Sequence, residues 1–415
     1  MNKSTILGDE LIDHLSRVQD CIGEPERPVT VEGLRGSASA YFLSRLHQLE
    51  KGRPILIVTT DQIRGELLLE DLKYFFHYAN LKTKPLFFPS WELLPYESLS
   101  PLSEISGERL EILNRLRNGE NLFLIAPVEA MMQTVIPRGS LERNVFSIKP
   151  NDELEREFLE ASLTDNGFSR SSLVENRCEF SVRGDIVDFF QPGAENPVRI
   201  EFFGDTIESI REFDVFSQIS IAKLKSIEIL PVREICLSKS ETQEGLKTIS
   251  RRSEELGLDA SLTQELREKI ENLGFFPGME FLAPFFFSKR ETVFDYLPQN
   301  TLIALDEPDL LMEKSRQFED LIESEFNNSI ENYRVAAAPE ELYLSSAELE
   351  DKCQRLHGPV ILNSLKVTEG HLNSVDIKRL PQMVGNLNFF SDQILRWQKE
   401  EQKIVIVAPT KGQIS

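Results

Sequence analysis

"PILIVTTDQIRGELLLEDLKYFFHY", residues 54–78, carries the fold class in one phrase. Residues 54–60 are apolar or β-branched with no polar alternation, as in a parallel strand buried on both faces. Asp61 stands where a helix N-cap belongs, and the residues behind it read as a helix. The phrase recurs downstream. "KPLFFPSWELLP" (84–95) gives a strand, "SGERLEILNRLRNG" (106–119) a helix ended by Gly119, and "NLFLIAPVEAMMQ" (121–133) strand then helix. Alternation across residues 28–136 predicts an α/β domain with a mostly parallel sheet.

Upstream, "VEGLRGSASAYFLSRL" (31–46) reads as strand, glycine-bracketed turn and helix. A working phosphate loop is G-x-x-x-x-G-K-[ST]: its lysine meets the phosphates and its hydroxyl holds Mg²⁺. Counting from Gly33, and passing Gly36 and Ser37, the second glycine is Ala38. The lysine is Ser39 and the metal-binding hydroxyl is Ala40. The loop keeps the shape and loses the chemistry. A second element, "LIALDEPD" (302–309), is an apolar strand ending in Asp306 and Glu307. That is the form of a strand-tip acid pair that holds Mg²⁺ and polarises water.

The 415 residues suffice for two to four domains. The four cysteines are scattered and the five histidines have no ligand spacing, so neither a metal centre nor a disulfide framework is expected. No apolar run has membrane-spanning length, and the acidic N-terminus is no secretory signal. A cytoplasmic location is expected. Net charge is −22, from 46 basic and 68 acidic residues. Such a chain repels nucleic acid unless a local basic face overrides the total.

From about 137 the pattern changes. After one acidic helix, "CEFSVRGDIVDFFQPGAENPVRIEFFGDTIESIREFD" (178–214) reads as successive short strands around a turn cluster. Strand alternation puts Arg177, Glu179, Ser181 and Arg183 on one face, and Cys178, Phe180 and Val182 on the core face. Arginine suits a docking face because its planar fork pairs with carboxylates. The aromatic stretch "FPSWELLPYESLSP" (88–101) allows a different reading, with Trp91 and Tyr96 stacking single-stranded nucleic acid.

Five segments result. Residues 1–136 and 214–310 form a split, degenerate P-loop module with a parallel sheet. Residues 137–213 form an inserted antiparallel α+β domain. Residues 311–333 are a helical linker, and 334–415 a small α/β domain. That last domain reads as incomplete, because a helix should follow its final strand "KIVIVAPTKGQIS" (403–415). A helix is also read over residues 5–20.

These pieces, in this order, resemble the N-terminal region of the bacterial transcription-repair coupling factor family. More distantly they are similar to the excinuclease B protein. The resemblance rests on "FPSWELLPYESLSP" with "SGERLEIL", the long insert "GFSRSSLVENRCEFSVRGDIVDFFQPGAENPVRIEFFGDTIESIREFDVFSQ" (167–218), "FFPGMEFLAPFFF" and "YLPQNTLIALDEPD". The missing loop lysine favours the coupling factor. So does the short spacer before "SGERL", which leaves no room for a DNA-inserting hairpin. The resemblance implies that the insert binds the excinuclease A protein. Arg170, Arg177 and Arg183 match its arginine pattern, and Ser181 stands where another arginine is expected. It implies a scaffold with no catalytic residue and no cofactor of its own. ATP, Mg²⁺ and double-stranded DNA would belong to a translocase motor beyond residue 415, and RNA polymerase to a separate domain there. An excinuclease B-like module that binds nucleotide or DNA stays open beside this.

Overall fold

The computed structural model describes residues 28–332, 334–355, 359–365, 387–402 and 404. The helix read over 5–20 and the strand read near 403–410 lie outside them.

The chain opens with β1 (Val29–Glu32), α1 (Ala38–Leu49), β2 (Ile55–Thr59), α2 (Gln62–Tyr78) and β3 (Pro85–Phe87). Then come α3 (Ser103–Arg117), β4 (Phe123–Pro127) and α4 (Val128–Met132). Asp61 caps α2 by accepting the backbone N–H of Arg64 at 2.8 Å. Every residue of β2 and β4 is buried, and their alternate side chains enter two different cores. Ile55, Ile57, Phe123 and Ile125 join Phe42 of α1 and Leu72 of α2 on one face. Leu56, Val58, Leu124 and Ala126 join Leu110 and Leu113 of α3 on the other. The uninterrupted apolar runs are thus the mark of a sheet covered on both sides.

The insert begins at β5 (Phe146–Ile148) and α5 (Arg156–Asp165). Six strands follow: β6 (Ser169–Arg170), β7 (Glu179–Arg183), β8 (Ile186–Phe189), β9 (Val198–Phe203), β10 (Thr206–Phe213) and β11 (Ser220–Lys223). They form one sheet in the order β11-β10-β9-β8-β7-β6. It is antiparallel except for the β6–β7 edge. β12 (Ile227–Ile229) pairs antiparallel with β5 and closes the unit at its neck. The insert therefore runs from about 146 to 229. It does not end at 213, because β11 and β12 complete it.

The chain returns to the scaffold through α6 (Lys239–Glu255) and α7 (Ala260–Leu273). The stretch 274–287 builds a third core, in which Phe281 and Phe286 pack with Trp91 and Tyr96. Next come β13 (Leu302–Asp306), α8 (Pro308–Glu331), α9 (Ser346–Arg355) and β14 (Val360–Asn363). The main sheet has the order β1-β14-β13-β2-β4-β3, and every pairing in it is parallel.

Two segment readings need correction here. β14 belongs to no separate final domain. It lies inside the main sheet, with Val360 paired to both Val29 and Ala304. α8 is no linker. It buries Leu311, Ser315, Ile322 and Ser329, with Leu311 in the second core and Ile322 in the third. Most of its charged residues face outward, while Glu319 accepts from Ser346 at the start of α9.

Candidate functional site

β1 and β13 run parallel on either side of β14, so the turn after β1 and the acids after β13 share one sheet edge. Ligands of open α/β sheets bind at this carboxyl edge. Gly33 and Gly36 take positive φ values of 84° and 59° and shape the turn. Two of its groups bond to the end of β14. Leu34 N–H donates to the Asn363 carbonyl at 3.1 Å, and Arg35 Nε to the Ser364 carbonyl at 3.4 Å. Ser37 stands before α1 as its N-cap without a side-chain cap bond. Ser39 and Ala40 are buried at 2% and 0% exposure.

The two acids are equally committed. Asp306 is buried, and both its oxygens accept from Arg64 of α2: Nε at 2.6 Å and a terminal nitrogen at 3.0 Å. That bond holds the Arg64 guanidinium above its ordinary pKa. Glu307 has a left-handed backbone at φ 56°. Its carboxylate accepts the Ser364 N–H at 2.7 Å. A nucleotide site needs these acids open to metal and water. Here one neutralises an arginine and the other ties down the end of β14.

Trp91 and Tyr96 form no stacking platform. They are 5% and 4% exposed. Trp91 Nε1 donates to Glu234 at 2.9 Å, and the Tyr96 hydroxyl to the Ala337 carbonyl at 3.0 Å.

The insert sheet has two unlike faces. One carries Phe180, Val187, Ile200 and Ile210 into a core under α5, which contributes Leu159 and Leu163. Ser181 lies on the other face, in register with Asp188. Asp188 is in turn in register with Arg199, and Arg199 with Arg211. Arg183, two residues past Ser181 on β7, belongs to this open face. It donates to Asp188 at 2.6 Å, and its side chain stays 44% exposed.

The three predicted arginines are held by different partners. Arg170 pairs in register with Phe180. It lies on the helix-covered side, bound to Glu160 of α5 at 2.9 Å. Arg177 precedes β7, and Cys178 between them has a left-handed φ of 64° yet still packs against the core with Phe180 and Val182. Arg177 sits over the Phe190 ring at 5.5 Å and donates to the Ala194 carbonyl. The open face also carries Arg199 and Arg211, which motif spacing did not single out. Their alternation with Val198, Ile200 and Ile210 was the available signal. The Asp188 contact holds Arg199 above the ordinary arginine pKa.

The insert is fixed firmly to its scaffold. Gly107 of α3 lies so close to the 190–193 turn that a Cβ would stand 2.2 Å from Pro192 Cβ. Gly107→Ala should therefore cost about 1–3 kcal/mol through overpacking. Hydrogen exchange should locate the loosening at α3 and the 190–193 turn; unchanged protection there would refute the tight junction. Below it, Arg109 is fully buried against Glu234, which lies on the segment leaving the insert, at 2.6 Å.

A six-stranded parallel sheet thus carries an inserted six-stranded, mostly antiparallel sheet with arginines on one face. Residues 146–235 match the family described as UvrB interaction domain. The chain is 36% identical over 68% of its length to a transcription-repair-coupling factor from Myxococcus xanthus, of which this covers 24%. It is 28% identical over 91% of its length to that of Bacillus subtilis, of which this covers 33%. With that of Escherichia coli the figures are 28%, 76% and 27%. The chain belongs to the transcription-repair-coupling factor family and corresponds to its N-terminal region. It spans between a quarter and a third of the length of these relatives. Among the described residues no helix is long and apolar enough to cross a membrane.

Proposed function

We propose that this region is the recruitment scaffold of a factor that couples transcription to nucleotide excision repair. Its insert docks the excinuclease A protein through the open face bearing Arg183. The observation that carries this reading is Arg183 itself. It is an exposed guanidinium tethered by one bond on the open face of the insert that matches the UvrB interaction domain. The nucleotide-type module holds that face in place and turns over no ATP, since Ser39, Ala40 and Asp306 are all buried. Removal of stalled RNA polymerase and movement on double-stranded DNA would fall to other parts of such a factor.

Calorimetric titration of the whole 415-residue chain with purified excinuclease A protein tests this. Wild-type binding should weaken as salt rises, because exposed charge pairs are screened. Arg183→Glu should lower affinity at least about a hundredfold, the cost of a repulsive charge at an interface centre. Equal binding by both forms would overturn the assignment.

A further inference from the structure

Asp188 is completely buried at the middle of the insert sheet, and two arginines share its carboxylate. Arg199 Nε reaches Oδ1 at 2.8 Å, and a terminal Arg199 nitrogen reaches Oδ2 at 2.9 Å. Arg183 donates to the same Oδ2 at 2.6 Å.

The two arginines are held very differently. Arg199 is 14% exposed. Its guanidinium lies 4.5 Å from the Phe213 ring centre, and it donates to the backbone and side-chain oxygens of Gln218 at 3.3 and 3.4 Å. Gln218 is itself fixed by the Val174 and Val215 carbonyls. Arg199 is thus clamped on every side. Arg183 gives one N–H to Asp188, while a guanidinium carries five donors. The rest of its fork is available to a partner.

Position 181 sharpens the contrast. Ser181 stands in the same cross-strand row as Asp188 and Arg199. It is 1% exposed, and its hydroxyl has no hydrogen-bond partner among the described residues. No cation reaches Asp188 from that place on β7. The balancing charge comes instead across the sheet, from β9.

We propose that Asp188 and Arg199 are positioning residues of the docking site. Arg199 saturates most of the buried carboxylate, so Asp188 holds Arg183 by a single N–H and leaves its fork for a carboxylate on the partner. The inference rests on the docking reading above and adds how the contact is kept competent. Without the Arg199 clamp, Asp188 would be a buried acid with open acceptors, which is costly. Arg183 is beside it and would turn inward to pair bidentately. The exposed contact would then be spent inside the chain.

The test uses the whole chain and purified excinuclease A protein. Arg199→Met strips the counter-charge and endangers the insert's fold, so Arg199→Lys is the variant read. It keeps the charge but not the planar fork, and circular dichroism checks the fold. Affinity should fall on the order of tenfold, the weight of one good charged contact. In an Arg183→Ala background the same change should do nothing more, because its effect passes through Arg183. Adding Asp188→Asn to Arg199→Lys should recover affinity by removing the competing charge. Additive losses for Arg183→Ala and Arg199→Lys would overturn the inference while leaving the docking reading intact. So would unchanged affinity in Arg199→Lys, or no recovery with Asp188→Asn. Failure of the wild-type chain to bind would instead overturn the docking reading itself.

Discussion

Arg109→Ala should destabilise the scaffold by about 3–5 kcal/mol, the penalty of leaving a buried ion without its partner. Arg109 is 0% exposed and Glu234 is 4% exposed. The guanidinium donates to Glu234 Oε1 at 2.6 Å and to the Pro89 carbonyl at 2.7 Å. It also donates to Gln133 at 3.2 Å and lies 4.4 Å from the Phe88 ring centre. Glu234 in turn holds the Trp91 indole. Removing Arg109 therefore frees a buried carboxylate, a carbonyl and an amide together. Replacing both members, as Arg109→Met with Glu234→Leu, should recover much of the loss, since paired apolar replacement of a buried ion pair is often neutral. Denaturant unfolding followed by tryptophan fluorescence reads both effects, because Trp91 touches the pair. A loss below about 1 kcal/mol, the range of a surface pair, would mean that water reaches the site.

Arg64→Ala should cost about 2 kcal/mol or more through the same physics at the spent nucleotide edge. The figure is smaller because the Arg64 side chain is 33% exposed and its charge partly screened, whereas Asp306 is 2% exposed. The variant would leave a lone buried carboxylate without its counter-charge. Asp306→Asn added to Arg64→Ala should relieve part of the loss in denaturant unfolding. No relief would show that Arg64 acts by packing alone. Neither change should create ATP binding, since Ser39 and Ala40 remain buried in the first turn of α1.

The sequence carried the architecture unevenly. The parallel sheet was legible in 54–60 and 121–127 because full burial on two faces removes polar alternation. The insert was legible because burial on one face imposes it. What failed were features set by distant pairing. The place of β14 depends on strands far away in the chain, and an apolar tetrapeptide does not name its neighbours. Arg109 did leave a trace. It shares one helical stripe with Ser106, Leu110 and Leu113, all buried, and a charge on such a stripe asks for a buried partner. The partner lies 125 residues on, so the question was visible and its answer was not. The acids of 306–307 were placed correctly at the sheet edge. Their occupation by Arg64 and Ser364 lay outside any local motif.

The position of β14 also sets an order of assembly. The insert closes on itself between Phe146 and Ile229, so every contact in its sheet is made within a short stretch of nascent chain. The scaffold cannot do the same. Val29 finds its strand neighbour only when Val360 has emerged. At about 5–20 residues per second of synthesis, that is a wait on the order of tens of seconds. Over that interval β1 presents an unpaired edge, joined by β13 only for about the last fifty residues, and such edges are the template on which chains aggregate. The insert sheet would thus be complete on the ribosome while the module that carries it is still open. A fragment cut between residues 334 and 359 would keep that opening for good, whatever its insert can bind.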